Sequence, residues 1–297
     1  MLAGLGIVAL ITAACGSSTP SPSPSASGSP GPDGSTGPAT GFRLRATLVQ
    51  ALPPLDTFTW TPMLLISDDL VAIQAGAIPL IFPGPLVTPL LGAQLTEEAW
   101  GKLESEARAA GLLSGETDFT GGALVPGAEA GRIEIVVGGT TYDLTGDPGK
   151  VSCCGDQPCA AGPGTPAAFA TFFSLLGNLP GWVGGVGAQQ PWVPAGYAVI
   201  AGPAPAADPQ LPQAVLPWPF GGPSPEFGGL LSGDPTRRCG VVTGDEAAAL
   251  TAALGAANQL TPWRDPAAPD DPGSLLGLTI RPLLPGDGDL CAPVVDG

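Results

Sequence analysis

The chain contains no histidine. Imidazole is the usual general base near neutral pH and the commonest metal-binding side chain, so its absence excludes Ser-His-Asp and Cys-His catalysis and His-ligated zinc. Basic side chains are also scarce: ten Lys and Arg stand against 26 Asp and Glu, for a net charge of −16. No basic stripe is available to neutralise phosphates, so nucleic acid is excluded as an expected partner. The same sign repels anionic headgroups and wall polymers. The apolar run over residues 78–91 is broken by Pro79, Pro83, Pro85 and Pro89. It is therefore read as neither helix, central strand nor membrane span.

Catalytic and cofactor motifs are missing too. Gly149-Lys150 fails as a phosphate-binding loop, with Leu144 where the first glycine belongs and Val151 where Ser or Thr belongs. The two Gly-Leu-Leu-Ser-Gly stretches, 111–115 and 229–233, are one residue out of step with a nucleophile elbow. Asp287-Gly288-Asp289 and Asp270-Asp271 are the tight acidic groups, and neither carries the ligand series of a calcium loop. No cofactor and no metal are expected.

What is present starts at the N-terminus. Residues 1–14 are apolar and small, ending Thr12-Ala13-Ala14, and Cys15 follows directly. An apolar stretch this short followed by small residues is a secretory signal. With the cysteine it resembles the lipobox of bacterial lipoproteins, which implies that Cys15 is lipidated and becomes the mature N-terminus, carrying palmitate-type acyl chains. Thr12 stands where Leu is commonest, and no Lys or Arg precedes the apolar stretch. That missing charge suggests a start upstream of Met1 or a weak signal. A plain cleaved signal, with Cys15 an incidental thiol, is the alternative. Residues 16–41 are Ser, Pro, Gly, Thr and Ala with one charge, Asp33. Such a segment has too little apolar surface to offset its ordering entropy and reads as a disordered tether. The expected organisation is 1–14 signal peptide, 15–41 lipidated cysteine and tether, 42–150 an N-terminal unit and 151–297 a C-terminal unit, the last two open to being one domain.

Within 42–297, 45 glycines and 37 prolines across the whole chain predict short elements and many turns. Residues 42–50 alternate apolar with Arg43, Arg45 and Thr47 and read as a half-buried strand; 58–66 and 70–74 follow as strands around a turn at 67–69. Residues 96–111 read as a helix capped by Thr96, with Trp100, Leu103, Ala107 and Ala110 inward and Glu98–Lys102, Lys102–Glu106 and Glu104–Arg108 as i,i+4 pairs. A hairpin turns at Gly138-Gly139. A second helix opens at Thr165-Pro166 and carries Phe169, Phe172, Phe173 and Leu176, read as core. Residues 197–201 read as a strand, 243–257 as a third helix with a capping box at Thr243–Glu246, and 275–284 as a strand. The fold class is α+β with short antiparallel strands and about three helices. Leu103 overlies Leu250, and Ile133 overlies Ile280 at equal spacing, which suggests two similar β-β-α-β units; two unrelated helices in an Ala-rich chain is the alternative.

Five cysteines follow Cys15, and in an oxidising exterior disulfides are the default. Cys239 precedes the third helix and Cys291 follows the last strand, so pairing them staples that helix and strand. Cys154 or Cys153 pairs with Cys159 in the loop Cys-Cys-x4-Cys, leaving one thiol over. A vicinal 153–154 bond, a redox thiol and a three-thiolate zinc site are the alternatives.

The segments Arg238-Cys239-Gly240-Val241-Val242-Thr243-Gly244, Gln259-Leu260-Thr261-Pro262-Trp263 and Arg281-Pro282-Leu283-Leu284-Pro285 resemble a group of uncharacterised secreted proteins and lipoproteins of high-GC Gram-positive and related bacteria. The resemblance implies an address and a fold, not a reaction. The expected function is a lipid-anchored protein on the extracytoplasmic face of the cell membrane that binds an envelope protein or glycan without catalysis. The alternative is a carboxylate-based hydrolase of envelope glycans. Trp60, Trp182, Trp192 and Trp218 in Pro-rich loops are the natural contact residues where exposed, with burial in the core the expected fate of most of them.

Overall fold

A computed structural model describes residues 41–49, 58–122, 129–150, 152–154, 157–158, 162–222, 224–231, 234–271 and 274–291, with backbone alone at 152–154 and 157–158. Two sheets carry the fold, and their strands are short and almost all antiparallel, giving the expected α+β class.

The first sheet grows around β1 (Phe42–Val49). On one side lie β2 (Leu64–Ser67), β3 (Val71–Ala75) and β4 (Leu90–Gln94). On the other lie β6 (Ala130–Val137), β7 (Thr140–Gly146) and a short parallel β5 (Asp118–Phe119). The period of two sends Leu64 and Ile66 to one face and Leu65 to the other, and all three are fully buried. The hairpin closes on Gly138 and Gly139 with φ of 58° and 80°, the left-handed pair that a tight two-residue turn needs. The expected strand over 58–66 is shorter than its pattern, because Pro62, which lacks an N–H, precedes the first residue of the ladder at Leu64.

Helix α1 (Glu97–Ala109) follows β4 and covers one face. The Thr96 hydroxyl accepts from the Ala99 N–H, and Trp100 and Leu103 are buried. Of the three expected i,i+4 pairs, Glu104–Arg108 forms at 2.7 Å. Lys102 turns away from both glutamates, donating to the Trp182 carbonyl and lying 5.6 Å over the Trp182 ring. Helix α2 (Pro166–Leu176), capped by Thr165, and the single turn α3 (Leu179–Trp182) pack beside it. Phe169, Phe172, Phe173 and Leu176 are core, as their spacing indicates.

Two glycines explain how the Phe stripe docks. Gly131 and Gly146 are cross-strand partners on β6 and β7. A Cβ on Gly146 would lie 2.4 Å from Phe169 Cδ1, and one on Gly131 would lie 2.9 Å from Phe173 Cε2. The pair leaves a dent in the sheet that two phenyl rings fill. The segment carrying α2, α3 and β10 (Gln190–Pro191, on β4) was grouped by the sequence division with the residues after 150, yet it packs on the first sheet.

The second sheet grows around β11 (Gly196–Pro203), which is buried along nearly its whole length. Its neighbours are β14 (Asp234–Thr243) and β16 (Leu275–Pro282), with β13 (Gly229–Leu231) outside β14, and β15 (Trp263–Arg264) and β12 (Leu216–Pro217) outside β16. Helix α4 (Gly244–Leu254) buries Ala247 and Leu250. The expected capping bond is missing: Gly244 adopts φ 56° and the Thr243 hydroxyl makes no bond to the helix N-terminus. In both halves a middle strand is flanked by one later antiparallel strand that precedes the helix and by another that follows it: β2-β1-β6 and β14-β11-β16. Leu103 and Leu250 are both fully buried under these sheets. The first half inserts β3 and β4 before its helix, whereas in the second half β14 runs straight into it.

Candidate docking surface

Cys15 lies outside the described residues, as does Cys159. Cys153 and Cys154 are described by their backbone alone, in a ribbon of β8 (Ser152–Cys154) and β9 (Gln157–Pro158). The expected pairing of Cys154 or Cys153 with Cys159 therefore falls outside the described side chains. Cys239 and Cys291 do form a disulfide, with Cα atoms 5.4 Å apart and a sequence separation of 52. It ties the buried middle of β14 to the segment beyond β16.

Asp287 belongs to the seam between the two halves rather than to a cation site. Its side chain, only 4% exposed, accepts from Arg281 at 2.9 Å, from Arg45 at 3.4 Å and from the Leu284 N–H at 3.0 Å. Burial draws the Arg281 guanidinium below its ordinary value, an effect opposed by the Asp287 charge and reinforced by Arg45. A register shift between Phe42 and Leu44 builds this arrangement. Simple alternation would put Arg43 and Arg45 on one face. The bulge instead sends Arg43 to Glu97 and the Trp100 ring on α1, and Arg45 to the Phe42 ring and Asp287. Among the described residues no group of three or more His, Cys, Asp or Glu side chains could hold a metal.

A second buried carboxylate, Asp265, accepts from the Ser224 hydroxyl and from the Ala267 N–H. Burial pushes its carboxyl up, but these hydrogen bonds together with the Ser224 N–H outweigh it and hold the group below the ordinary carboxylate value. The pair pins the turn at 224–227.

Among the described residues, cavities open on the second sheet and its junction with the first. One of about 360 Å³ lies among Pro203, Pro205, Leu211, Val215, Leu260 and Pro262. Asp208 is its one carboxylate, and Oδ1 of that group already accepts from the Gln210 N–H. Cavities of about 250, 180 and 140 Å³ contain no carboxylate.

The feature that stands apart is the connection from β3 to β4, residues 76–89. Its base is fastened twice. Gly76 N–H donates to Pro89 O at 2.8 Å, and Gln259 N–H donates to Gly84 O at 3.1 Å beside a bridge between Pro85 and Asn258. Leu86 and Val87 pack on the core of the second half. Between those fixings the chain projects outward. Leu80 is 105% exposed, Phe82 67%, Ile81 66% and Ile78 48%. No charged side chain occurs from Leu70 through Thr96.

The tryptophans expected to make contacts do not form this surface. Trp218 is buried against Phe220 and Phe227, Trp192 packs beside Leu65 and Ile73, Trp182 donates to Leu175 O, and Trp60 is half-buried. The signal for the exposed loop was present in Ile78-Pro79-Leu80-Ile81-Phe82, where prolines forbid the regular structure that would bury those side chains. No protein-family model, curated protein or solved structure matches the chain.

Proposed function

We propose that this chain is a lipid-anchored protein of the extracytoplasmic membrane face, held through Cys15 and a tether, whose folded body acts as a non-enzymatic binding module. The observation that carries the address is the Cys239–Cys291 disulfide, a bond that persists in oxidising compartments and is rare in the cytosol. It agrees with the small-residue run ending at Cys15 and with the Ser/Pro composition of residues 16–41.

Non-catalytic binding is supported by the chemistry of the cavities. A glycan hydrolase needs two carboxyls facing each other at about 5–9.5 Å. The four cavities described hold Asp208 alone. The buried carboxylates Asp265 and Asp287 are committed to Ser224 and to two arginines. The hydrolase alternative therefore gains nothing from the geometry. The binding reading takes its partner class, an envelope protein or glycan or the membrane itself, from the proposed address.

Labelling with a radioactive or clickable palmitate tests the anchor. Label is expected on the parent chain and absent from Cys15→Ala, which moves to the soluble fraction. An unlabelled parent protein recovered from the medium overturns the anchor.

A further inference from the structure

We infer that the loop tip formed by Ile78, Leu80, Ile81 and Phe82 inserts into the lipid bilayer, giving the body a membrane contact of its own, separate from the acyl chains at Cys15. This deepens the proposed anchoring by naming what the body touches.

The loop is built to present apolar side chains and hold them out. Leu80 exceeds the exposure of an extended-chain reference, and Ile81 and Phe82 are each two-thirds exposed. Backbone contacts with Pro89 on one side and with Asn258 and Gln259 on the other fix the two ends of the loop from which the four side chains project. Isolated exposed apolar residues are ordinary; a contiguous group on one projecting tip is not. Pro79 and Pro83 remove two backbone N–H groups from the tip, and so two donors that would otherwise need partners in an apolar phase.

Charge separates a bilayer from a protein partner. A protein interface sets an apolar centre inside a charged and polar rim. Here the sequence from Leu70 through Thr96 has no charge in a chain of net −16. The cavity under the tip, which Ile78 helps to line, has no charged side chain: Thr59, Thr88, Thr279 and Gln259 are its polar residues, and apolar side chains complete the lining. An apolar tip above a base free of charge suits acyl chains below a headgroup zone. The acidic remainder of the body resists lying flat on an anionic surface, so insertion at one neutral point suits the charge distribution. The acyl chains proposed at Cys15 would raise the body's effective concentration at the surface, so a weak second contact is sufficient.

The test uses the full chain carrying Cys15→Ala, which has no lipid and so separates this contact from the anchor. Phosphatidylcholine vesicles are the probe, read by co-sedimentation. The Cys15→Ala chain is expected to bind, and Leu80→Asp or Phe82→Asp to lower the partition coefficient at least about tenfold. Leu230→Asp, at a 63% exposed position on the edge strand β13, is expected to leave binding unchanged. Because Leu80 makes no core contact, its Asp variant keeps the parent's melting temperature and circular dichroism, which removes misfolding as an explanation. Salt leaves binding to phosphatidylcholine intact, and admixed phosphatidylglycerol weakens it at low salt. In a Leu80→Trp variant, added fluorescence is quenched by lipids brominated on the acyl chain. The inference is overturned by absence of vesicle binding, by binding that survives Leu80→Asp, or by Leu80-dependent self-association or capture of a protein in place of lipid. Loss of palmitate labelling leaves this result untouched, so the two readings fail independently.

Discussion

The two halves solve the same packing problem with different means. The first covers its sheet with α1, α2 and α3 and fills the gap with three phenylalanines of α2, Phe119 and Trp100. The second covers its sheet with one Ala-rich helix that buries only Ala247 and Leu250, and completes the core with Trp218, Phe220 and Trp263. Among the described residues the indole N–H groups of Trp218 and Trp263 are buried without an acceptor, an added cost. The disulfide lies in that second, thinner half. Where apolar burial is small, a covalent link that restricts the unfolded chain takes over part of the stabilisation.

The sharpest way to break this contrast is to remove the link. Cys239→Ser with Cys291→Ser opens a 52-residue separation and is expected to cost about 4 kcal/mol on the chain-entropy account. Amide exchange should rise more in β11, β14 and β16 than in β1, β6 and β7. Equal loosening of both sheets would show that the halves do not differ in the way described. Next comes the seam. Asp287→Asn removes the charge that Arg281 and Arg45 share, leaving Arg45 only its longer pair with Glu134 at 3.9 Å, and urea denaturation should show a loss of about 3 kcal/mol. A loss under about 1 kcal/mol would mean that solvent screens the group despite its burial.

On the first half, Gly146→Ala is expected to cost about 1–3 kcal/mol, because the new methyl meets the Phe169 ring. Phe169→Leu in the same chain should recover part of that in thermal melts; strict additivity would place the strain elsewhere. The smallest effect compares the helix caps. Thr96→Ala loses a hydroxyl bond to the Ala99 N–H and should destabilise by about 1 kcal/mol, whereas Thr243→Ala, whose hydroxyl makes no such bond, should stay within about 0.5 kcal/mol. Equal losses would return Thr243 to the capping role that its sequence suggests.

Local signals were readable in the chain where the cause was local. The caps at Thr96 and Thr165, the Phe stripe of α2, and the Gly138-Gly139 turn each follow from a few adjacent residues, and the structure contains them. The ten-residue strand β14 had no such signal. Its Asp-Pro-Thr-Arg-Arg opening lacks alternation, and it is a strand because β11 and β13 pair with it on either side. The start of β4 was hidden for a related reason, since Leu90 and Leu91 sit at the end of a proline run. The bulge at Phe42–Leu44 could not be read from an alternating pattern, and it decides where Arg45 goes. The exposed loop was half legible: its residues stood in the sequence as an apolar run broken by prolines, but only the fold shows that they point outward.

The seam has a consequence for the order of assembly. Arg45 sits on β1 and Asp287 lies 242 residues later; Gln259 reaches Gly84 across 175 residues. Contacts this distant must close very large loops before they return any stabilisation, so they form late and fold slowly. As the chain emerges N-terminus first, Arg45 can meet Glu134 of β6 before Asp287 exists, whereas Leu65 and Ile73 wait for Leu284 of the closing segment. Until synthesis reaches that segment those apolar side chains lack this partner and leave part of the first sheet open to wrong contacts.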